Sequence, residues 1–111
     1  MTDKYISRPE EIVLLAVRKL QDNAYGITIR NFIQELTGKY WSIGAIYVPL
    51  ERLEKKGLLT SCNSIPSPER GGRRKRLFRI TPAGIKELDE LSRINAILWK
   101  DYPRLSPDRN E

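Results

Sequence analysis

The residues with the clearest binding chemistry lie in one ten-residue stretch, RGGRRKRLFR at 70–79. It holds no acidic side chain and six basic ones, which are Arg70, Arg73, Arg74, Lys75, Arg76 and Arg79. The chain has 20 basic and 14 acidic residues, so the 14 basic residues outside the stretch balance the acidic ones. The excess charge of +6 therefore lies here. Such a cluster gains free energy on a polyanion by counterion release. Nucleic acid is the first expected partner; an anionic lipid surface and a merely solvated loop are the alternatives.

The rest of the inventory argues against catalysis. The chain has no histidine, which removes the commonest general base and the commonest metal ligand. Cys62 is the only cysteine, so an internal disulfide cannot form, which fits a reducing compartment. We expect its thiol to be inert. We therefore expect no enzyme, no metal and no cofactor. The first residues lack the apolar core of a signal peptide, and no apolar run approaches the roughly 18–20 residues that cross a bilayer, so we expect a cytoplasmic protein.

The elements that carry these residues begin with two helices. Ser7 and Glu10 have the spacing of a capping box, which predicts a first helix from about Pro9 to Leu20. Its predicted apolar face is made of Ile12, Leu15, Ala16 and Leu20, widened by Leu14 and Val17. A second helix is predicted from near Gly26 to just before Gly38, with an apolar face of Ile29, Phe32, Ile33 and Leu36.

The third predicted helix has the clearest boundaries. Ser42 is a good N-cap and Gly57 a good stop. Pro49 lies inside it and removes one backbone donor, so we expect a helix that continues through the proline with a bend. Only a few residues separate this helix from the second, as a helix-turn-helix requires.

Two short segments, Leu58–Ser64 and Arg76–Ile80, predict a β-hairpin with a long basic connection. Thr81 and Pro82 then open a last helix. The predicted order is helix, helix, helix, strand, strand, helix. It indicates a mainly α protein with a small β-hairpin, the winged helix-turn-helix class. We divide the chain into a winged-helix domain at 1–81, a helix at 82–101 and a tail at 102–111.

The start of the third helix is the predicted reading surface. An α-helix fits the DNA major groove, and helix-turn-helix proteins present this end of their second helix to the bases. Small Gly44 and Ala45 allow close approach, and the hydroxyls of Ser42 and Tyr47 can bind phosphate. The alternatives are that Ser42 is only a cap and Tyr47 only packing. Glu51 and Glu54 should face away from DNA or offset nearby cations.

The last helix carries more apolar surface than one contact with a small core requires. A monomer is expected to leave much of this surface exposed, so it predicts a homodimer. The predicted interface residues are Leu88, Leu91, Ile94, Leu98 and Trp99. The alternative is that the helix simply packs back on the first one.

Three strings, AYGITI, WSIGAIYVPLERLEKKGLL and GGRRKRLFRITPAG, resemble consecutive signature segments of the PadR family over roughly residues 8–100. The resemblance implies a dimeric repressor that acts on palindromic operators and pairs through its C-terminal helix, in the short subgroup with a single such helix. It implies that some members bind a small aromatic or drug-like effector, for which Trp99 is the candidate here. It also places near DNA the positions held by Tyr25, Ser42, Ala45, Tyr47, Arg73, Arg74 and Lys75.

Two positions depart from the family's pattern. Val48 stands between Tyr47 and Pro49, and Ala45 replaces a common threonine; Ala45 retains a methyl group that can contact thymine. Three other functions compete with sequence-specific DNA binding. A winged-helix module that binds only proteins is the first, an RNA-binding winged helix the second, and an enzyme the last.

Overall fold

The computed structural model describes residues 4–63 and 75–104, apart from the side chain of Arg104. The longer elements run in the order predicted from the sequence. They are helices α1 (Arg8–Leu20), α2 (Gly26–Thr37) and α3 (Ile43–Lys55), strands β1 (Leu59–Asn63) and β2 (Arg76–Ile80), and helix α4 (Pro82–Trp99). Single 3-10 turns at Gln21–Asn23 and Tyr102–Arg104 follow α1 and α4. The predicted winged helix-turn-helix class, mainly α with one β-hairpin, is confirmed.

The side chains predicted to start the helices do so. The Glu10 N–H donates to Ser7 Oγ at 3.3 Å and the Ser7 N–H donates back to Glu10 Oε1 at 2.8 Å. This capping box satisfies two backbone donors at the start of α1. The Ala45 N–H donates to Ser42 Oγ at 3.1 Å, and Thr81 caps α4 in the same way. Local chemistry therefore fixes where three of the helices begin.

The predicted stops are equally local. Gly38 and Gly57 have φ values of 71° and 78°, the left-handed conformation that glycine adopts at little cost after a helix. Helix α3 continues through Pro49, which is buried. The predicted continuity is thus confirmed.

The core lies where α1, α2 and α3 meet and where β2 covers them. Its largest fully buried side chains are Val13, Leu14, Val17, Ile29, Ile33, Ile46, Leu50, Leu53, Leu59 and Phe78. The predicted face of α1 is partly wrong, because Leu15 is exposed whereas Val13, absent from that face, is fully buried. The reason is that α1 packs on several elements at once, which moves its buried stripe. On α2, Leu36 lies in the last turn and is also exposed.

One charged group lies inside this apolar region. The Glu10 side chain is only 3% exposed, and Lys56 Nζ lies 3.1 Å from its Oε1 and 3.2 Å from its Oε2. Lys56 directly follows α3 as its C-cap, so this ion pair connects the start of α1 to the end of α3.

The hairpin is antiparallel, with a register that runs from Leu59 opposite Ile80 to Asn63 opposite Arg76. Of the predicted first strand, Leu58 precedes β1 and Ser64 lies outside the described residues. The Phe78 N–H donates to the Ala24 carbonyl at 2.8 Å, which holds β2 against the turn before α2. The hairpin is therefore fixed to the helices by its backbone as well as by the buried Phe78 ring.

Helix α4 returns along α1. Leu88 and Leu91 are buried, at 7% and 8% exposure, which corrects the expectation that a monomer exposes them. The reason is that α4 packs on the rest of the chain at these two residues. Further along α4, Asn95 Nδ2 donates to Glu11 Oε2 of α1 at 3.0 Å. Among the described residues, no helix has the length and apolar character needed to cross a membrane.

Candidate nucleic-acid interface

The first turn of α3 presents small residues to solvent. Ser42, Gly44 and Ala45 are all exposed. The Ser42 hydroxyl oxygen is occupied as an acceptor by the Ala45 N–H, but its own proton can still be donated. The predicted reading surface is thus accessible, and its shortest side chains lie at the end of the helix that helix-turn-helix proteins point at bases.

Tyr47 lies one turn further along α3 and is half-buried. Its ring packs edge-on against Phe78 of β2, with 6.3 Å between ring centres. Its hydroxyl lies over the first residue of α2, because a Cβ placed on Gly26 would be 2.6 Å from the Tyr47 hydroxyl oxygen. Tyr47 therefore packs between α2 and the hairpin, as the packing alternative proposed, while its hydroxyl lies beside the α2 amino terminus.

Tyr25 and Lys75 extend this group. Tyr25 is the residue before α2, where its N–H donates to Thr28 Oγ1 at 3.0 Å. Lys75 Nζ lies 3.7 Å from the centre of the Tyr25 ring, a distance typical of a cation–π contact. The structure thus brings together three predicted site residues that are distant in sequence: Tyr25 directly before α2, Tyr47 in α3 and Lys75 directly before β2.

Arg76 is also a predicted site residue, but its guanidinium points back to α3. Its Nη2 donates to Glu54 Oε1 at 2.6 Å and its Nε donates to Ser61 Oγ at 3.2 Å. The Ser61 hydroxyl donates in turn to Glu54 Oε2 at 2.8 Å. The expectation that Glu54 offsets a nearby cation agrees with this geometry. Sequence reasoning missed Ser61. The only available signal was its position two residues after Leu59, which places the two side chains on the same face of β1.

The predicted site residues Arg73 and Arg74 lie outside the described residues. Arg79, from the same basic stretch, forms an ion pair of 2.9 Å with Asp22, and both side chains are largely exposed. Gly26 was also missed as a functional position. The requirement for a glycine there arises only from contact with Tyr47, which is distant in sequence.

The predicted dimer residues fall into two groups. Leu88 and Leu91 are buried inside the chain and Ile94 is half-buried, whereas Leu98 and Trp99 are 68% and 61% exposed. Ile97 and Tyr102 are exposed beside them, and the Trp99 and Tyr102 rings pack edge-on with 5.2 Å between centres. The apolar surface that α4 leaves exposed is therefore at its carboxyl-terminal end and continues into the turn after it. An effector site beside Trp99 stays a prediction.

Trp41, in the connection between α2 and α3, is partly buried against the core, and its backbone N–H donates to Gln34 Oε1 at 3.1 Å. Cys62 is exposed on β1. Within residues 4–63 and 75–104, no group of three or more acidic or cysteine side chains is placed to hold a metal ion.

Comparison with known proteins places this geometry in a family. The chain is 21% identical to a PadR-like transcriptional regulator from Bacillus cereus, with a TM-score of 0.72 over 86% of this chain and 88% of that one. It is 24% identical to a transcriptional regulator from Clostridium thermocellum, with a TM-score of 0.69 over 87% and 91%. Bacillus subtilis PadR, solved in complex with operator DNA, is 25% identical with a TM-score of 0.61 over 74% of this chain and 45% of that one.

No curated protein is similar enough in sequence to count as a relative. The model of the transcriptional regulator PadR-like family, in contrast, matches residues 13–90, which run from α1 into α4 and include the candidate interface. The chain therefore belongs to the PadR-like family of transcriptional regulators.

Proposed function

We propose that this regulator is a DNA-binding homodimer that represses transcription by occupying a palindromic operator in the cytoplasm. The observation that carries the proposal is the exposed first turn of α3, with Ser42, Gly44 and Ala45 accessible on it. Tyr25 and Lys75 lie at the neighbouring α2 amino terminus, where the helix dipole favours a phosphate.

In this mechanism α3 enters the major groove and the small residues approach the base edges. The Ala45 methyl group is suited to contact a thymine methyl, and the Ser42 hydroxyl is suited to donate to a phosphate oxygen. The wing is the β1–β2 hairpin with its basic connection. Its cations Arg73, Arg74 and Lys75 bind the phosphate backbone of the DNA, together with Tyr25 and the Tyr47 hydroxyl. Sequence preference then comes from α3 and most of the affinity from the phosphates.

Two comparisons support the proposal. The family is one of transcriptional regulators, and Bacillus subtilis PadR was solved with operator DNA bound. The likeness covers 74% of this chain but only 45% of that protein, so it supports the proposal for the shared part alone.

The first experiment selects bound sequences from a random duplex library and then titrates the winning duplex at several salt concentrations. We expect a palindrome with half-sites about one DNA turn, roughly 34 Å, apart. We also expect affinity to fall as salt rises. Failure to bind any duplex at low salt would overturn the proposal in favour of a module that binds only proteins. Preference for single-stranded or structured RNA would favour the RNA-binding alternative.

The double variant Arg73→Ala, Arg74→Ala tests the wing. Losing two phosphate contacts should weaken binding to every duplex and reduce the slope of log affinity against log salt by about 2, at about 0.9 per contact. Binding is measured by fluorescence anisotropy across a salt series. The double variant Lys19→Ala, Lys86→Ala removes the same charge from exposed positions on α1 and α4, and should change the slope far less. Equal slopes for the two double variants would show that net charge alone, not the wing, attracts the DNA.

Dimerisation is proposed to occur through the exposed end of α4. Leu98→Glu places a charge in that surface, and burying it without a partner costs several kcal/mol. We expect the dimer dissociation constant to rise at least about tenfold, measured by analytical ultracentrifugation. Ser92→Glu adds the same charge at another exposed position of α4 and should leave the dimer intact. A wild-type chain that is monomeric at every concentration, or a Leu98→Glu dimer of unchanged stability, would refute this part of the proposal.

A further inference from the structure

We propose that Arg76 is a positioning residue that sets the direction of the wing relative to α3, and that it is not a ligand of DNA phosphate. The inference rests on the proposed function and reassigns one residue of the basic stretch. Its consequence is that Glu54 and Ser61, neither of which is placed at the DNA surface, contribute to DNA affinity through Arg76.

The geometry is a closed ring of three hydrogen-bonded side chains. Arg76 donates to Glu54 and to Ser61, and Ser61 donates to the second carboxylate oxygen of Glu54. The guanidinium also lies 5.1 Å from the centre of the buried Phe78 ring. The fork of the arginine, both carboxylate oxygens and the hydroxyl are all used, so each side chain fixes the other two.

The ring lies at the place where it can control the wing. Arg76 pairs with Asn63 at the last described step of the hairpin. The connection that carries Arg73 and Arg74 runs in sequence from Asn63 to Arg76. Glu54 belongs to α3, the proposed reading helix. The ring therefore connects the reading helix to the end of the hairpin from which the basic connection leaves.

Charge favours this role over phosphate binding. The Arg76 and Glu54 side chains are 38% and 32% exposed, so the pair is partly shielded from water and from salt. Moving Arg76 to a phosphate would leave the Glu54 carboxylate without its cation and close to a second negative charge. Arg79 shows the contrast on the same strand, because its pair with Asp22 is 73% and 89% exposed and contributes little.

The test compares Arg76→Ala, Glu54→Gln and the double variant on the duplex selected by the wild-type chain. The two single substitutions change the net charge in opposite directions. If both residues act by holding the wing, each should nevertheless weaken binding by about tenfold, and the double variant should be no worse than either. In the Arg73→Ala, Arg74→Ala background, Glu54→Gln should cause no further loss, because the arginines that the ring positions are absent.

The opposite result is equally distinct. If Arg76 binds phosphate directly, Glu54→Gln should tighten binding, because it removes a repulsive charge and releases the guanidinium. Tighter binding by Glu54→Gln, additive losses, or an undiminished loss in the wing-deficient background would each overturn the inference. If the wild-type chain binds no duplex, the proposed function itself fails, so the two failures are distinguishable.

Two controls keep the measurement interpretable. Arg93→Ala removes an arginine from an exposed ion pair on α4, away from the basic stretch, and should leave binding near the wild-type value. Arg76→Lys keeps the charge but cannot reproduce the fork, so it serves if Arg76→Ala is not folded at the assay temperature; it should weaken binding and not restore it. Thermal unfolding of each variant confirms that the folded state is the one compared.

Discussion

Replacing Lys56 by methionine is expected to destabilise the folded chain by about 2 to 3 kcal/mol at neutral pH. The substitution keeps most of the aliphatic stem and removes the ammonium that lies 3.1 Å from Glu10 Oε1. It leaves a carboxylate that is 3% exposed and still accepts a hydrogen bond from the Ser7 N–H at 2.8 Å. An uncompensated buried charge is far costlier than a missing surface pair.

The same variant should change how stability depends on pH. Burial on its own raises the pKa of Glu10, but hydrogen bonds from Ser7 and the charge of Lys56 outweigh it and hold that pKa below its ordinary value. Because the folded pKa is the lower one, ionised Glu10 stabilises the wild-type fold above its unfolded pKa of about 4.3. This contribution is lost as the pH falls through the folded pKa.

Without the Lys56 ammonium, burial is opposed only by the hydrogen bonds from Ser7, so the pKa of Glu10 should be higher in the variant than in the wild type. Protonation then removes the buried charge, so the difference in stability between the variant and the wild type should shrink as the pH falls. Urea denaturation at one protein concentration and several pH values measures this difference. Arg79→Ala, which breaks an exposed pair, should change stability by less than about 0.5 kcal/mol at neutral pH. A difference for Lys56→Met that is small or independent of pH would contradict the assignment.

Substituting Gly84 by alanine should lower the free energy of unfolding by about 2 to 3 kcal/mol. A Cβ at this position would run into the carbonyl oxygen of Leu58 and lie 2.6 Å from Ile80 Cγ1. The Leu58 oxygen cannot easily move, because it accepts the Thr81 N–H at 3.1 Å. The overlap therefore has to separate α4 from the hairpin, which outweighs the gain of about 1 kcal/mol that alanine normally brings to a helix.

Gly44→Ala is the matched control for this prediction. Gly44 is exposed in the first turn of α3, and its added Cβ would lie 4.0 Å from Ser42 Oγ. Stability should therefore rise, by up to about 1 kcal/mol. Thermal unfolding of both variants at one protein concentration compares them. Equal changes in melting temperature would mean that the tight contact at Gly84 is relieved at little cost.

Features fixed by neighbouring residues could be predicted from the sequence. Helix boundaries are set by hydrogen bonds and backbone conformations that span only a few residues. Examples are the capping box of Ser7 and Glu10, the Ser42 cap, and the left-handed Gly38 and Gly57. The order of elements, and with it the fold class, follows from such local signals. The exposed small residues at the start of α3 could be predicted as well, because the Ser42 cap shows where the first turn of that helix lies in the sequence.

Features that depend on what packs against each element were decided only by the tertiary structure. Leu15 was predicted to be buried but is exposed, and Val13 is buried in its stead. Helix α1 touches several elements, so the helical period alone could not define its buried face. Leu88 and Leu91 are covered within the chain, whereas Leu98 and Trp99 are not, although all four are apolar residues of one helix.

The charged residues show the same division most clearly. The sequence located the excess positive charge, since charge is counted without knowing the fold. It could not separate Arg76, paired with Glu54 of α3, from Lys75, which lies over the Tyr25 ring. The two side chains are adjacent in the chain, but successive residues at the start of a strand point in opposite directions. Their partners lie on different helices, and only the packing of those helices decides which side chain each cation meets.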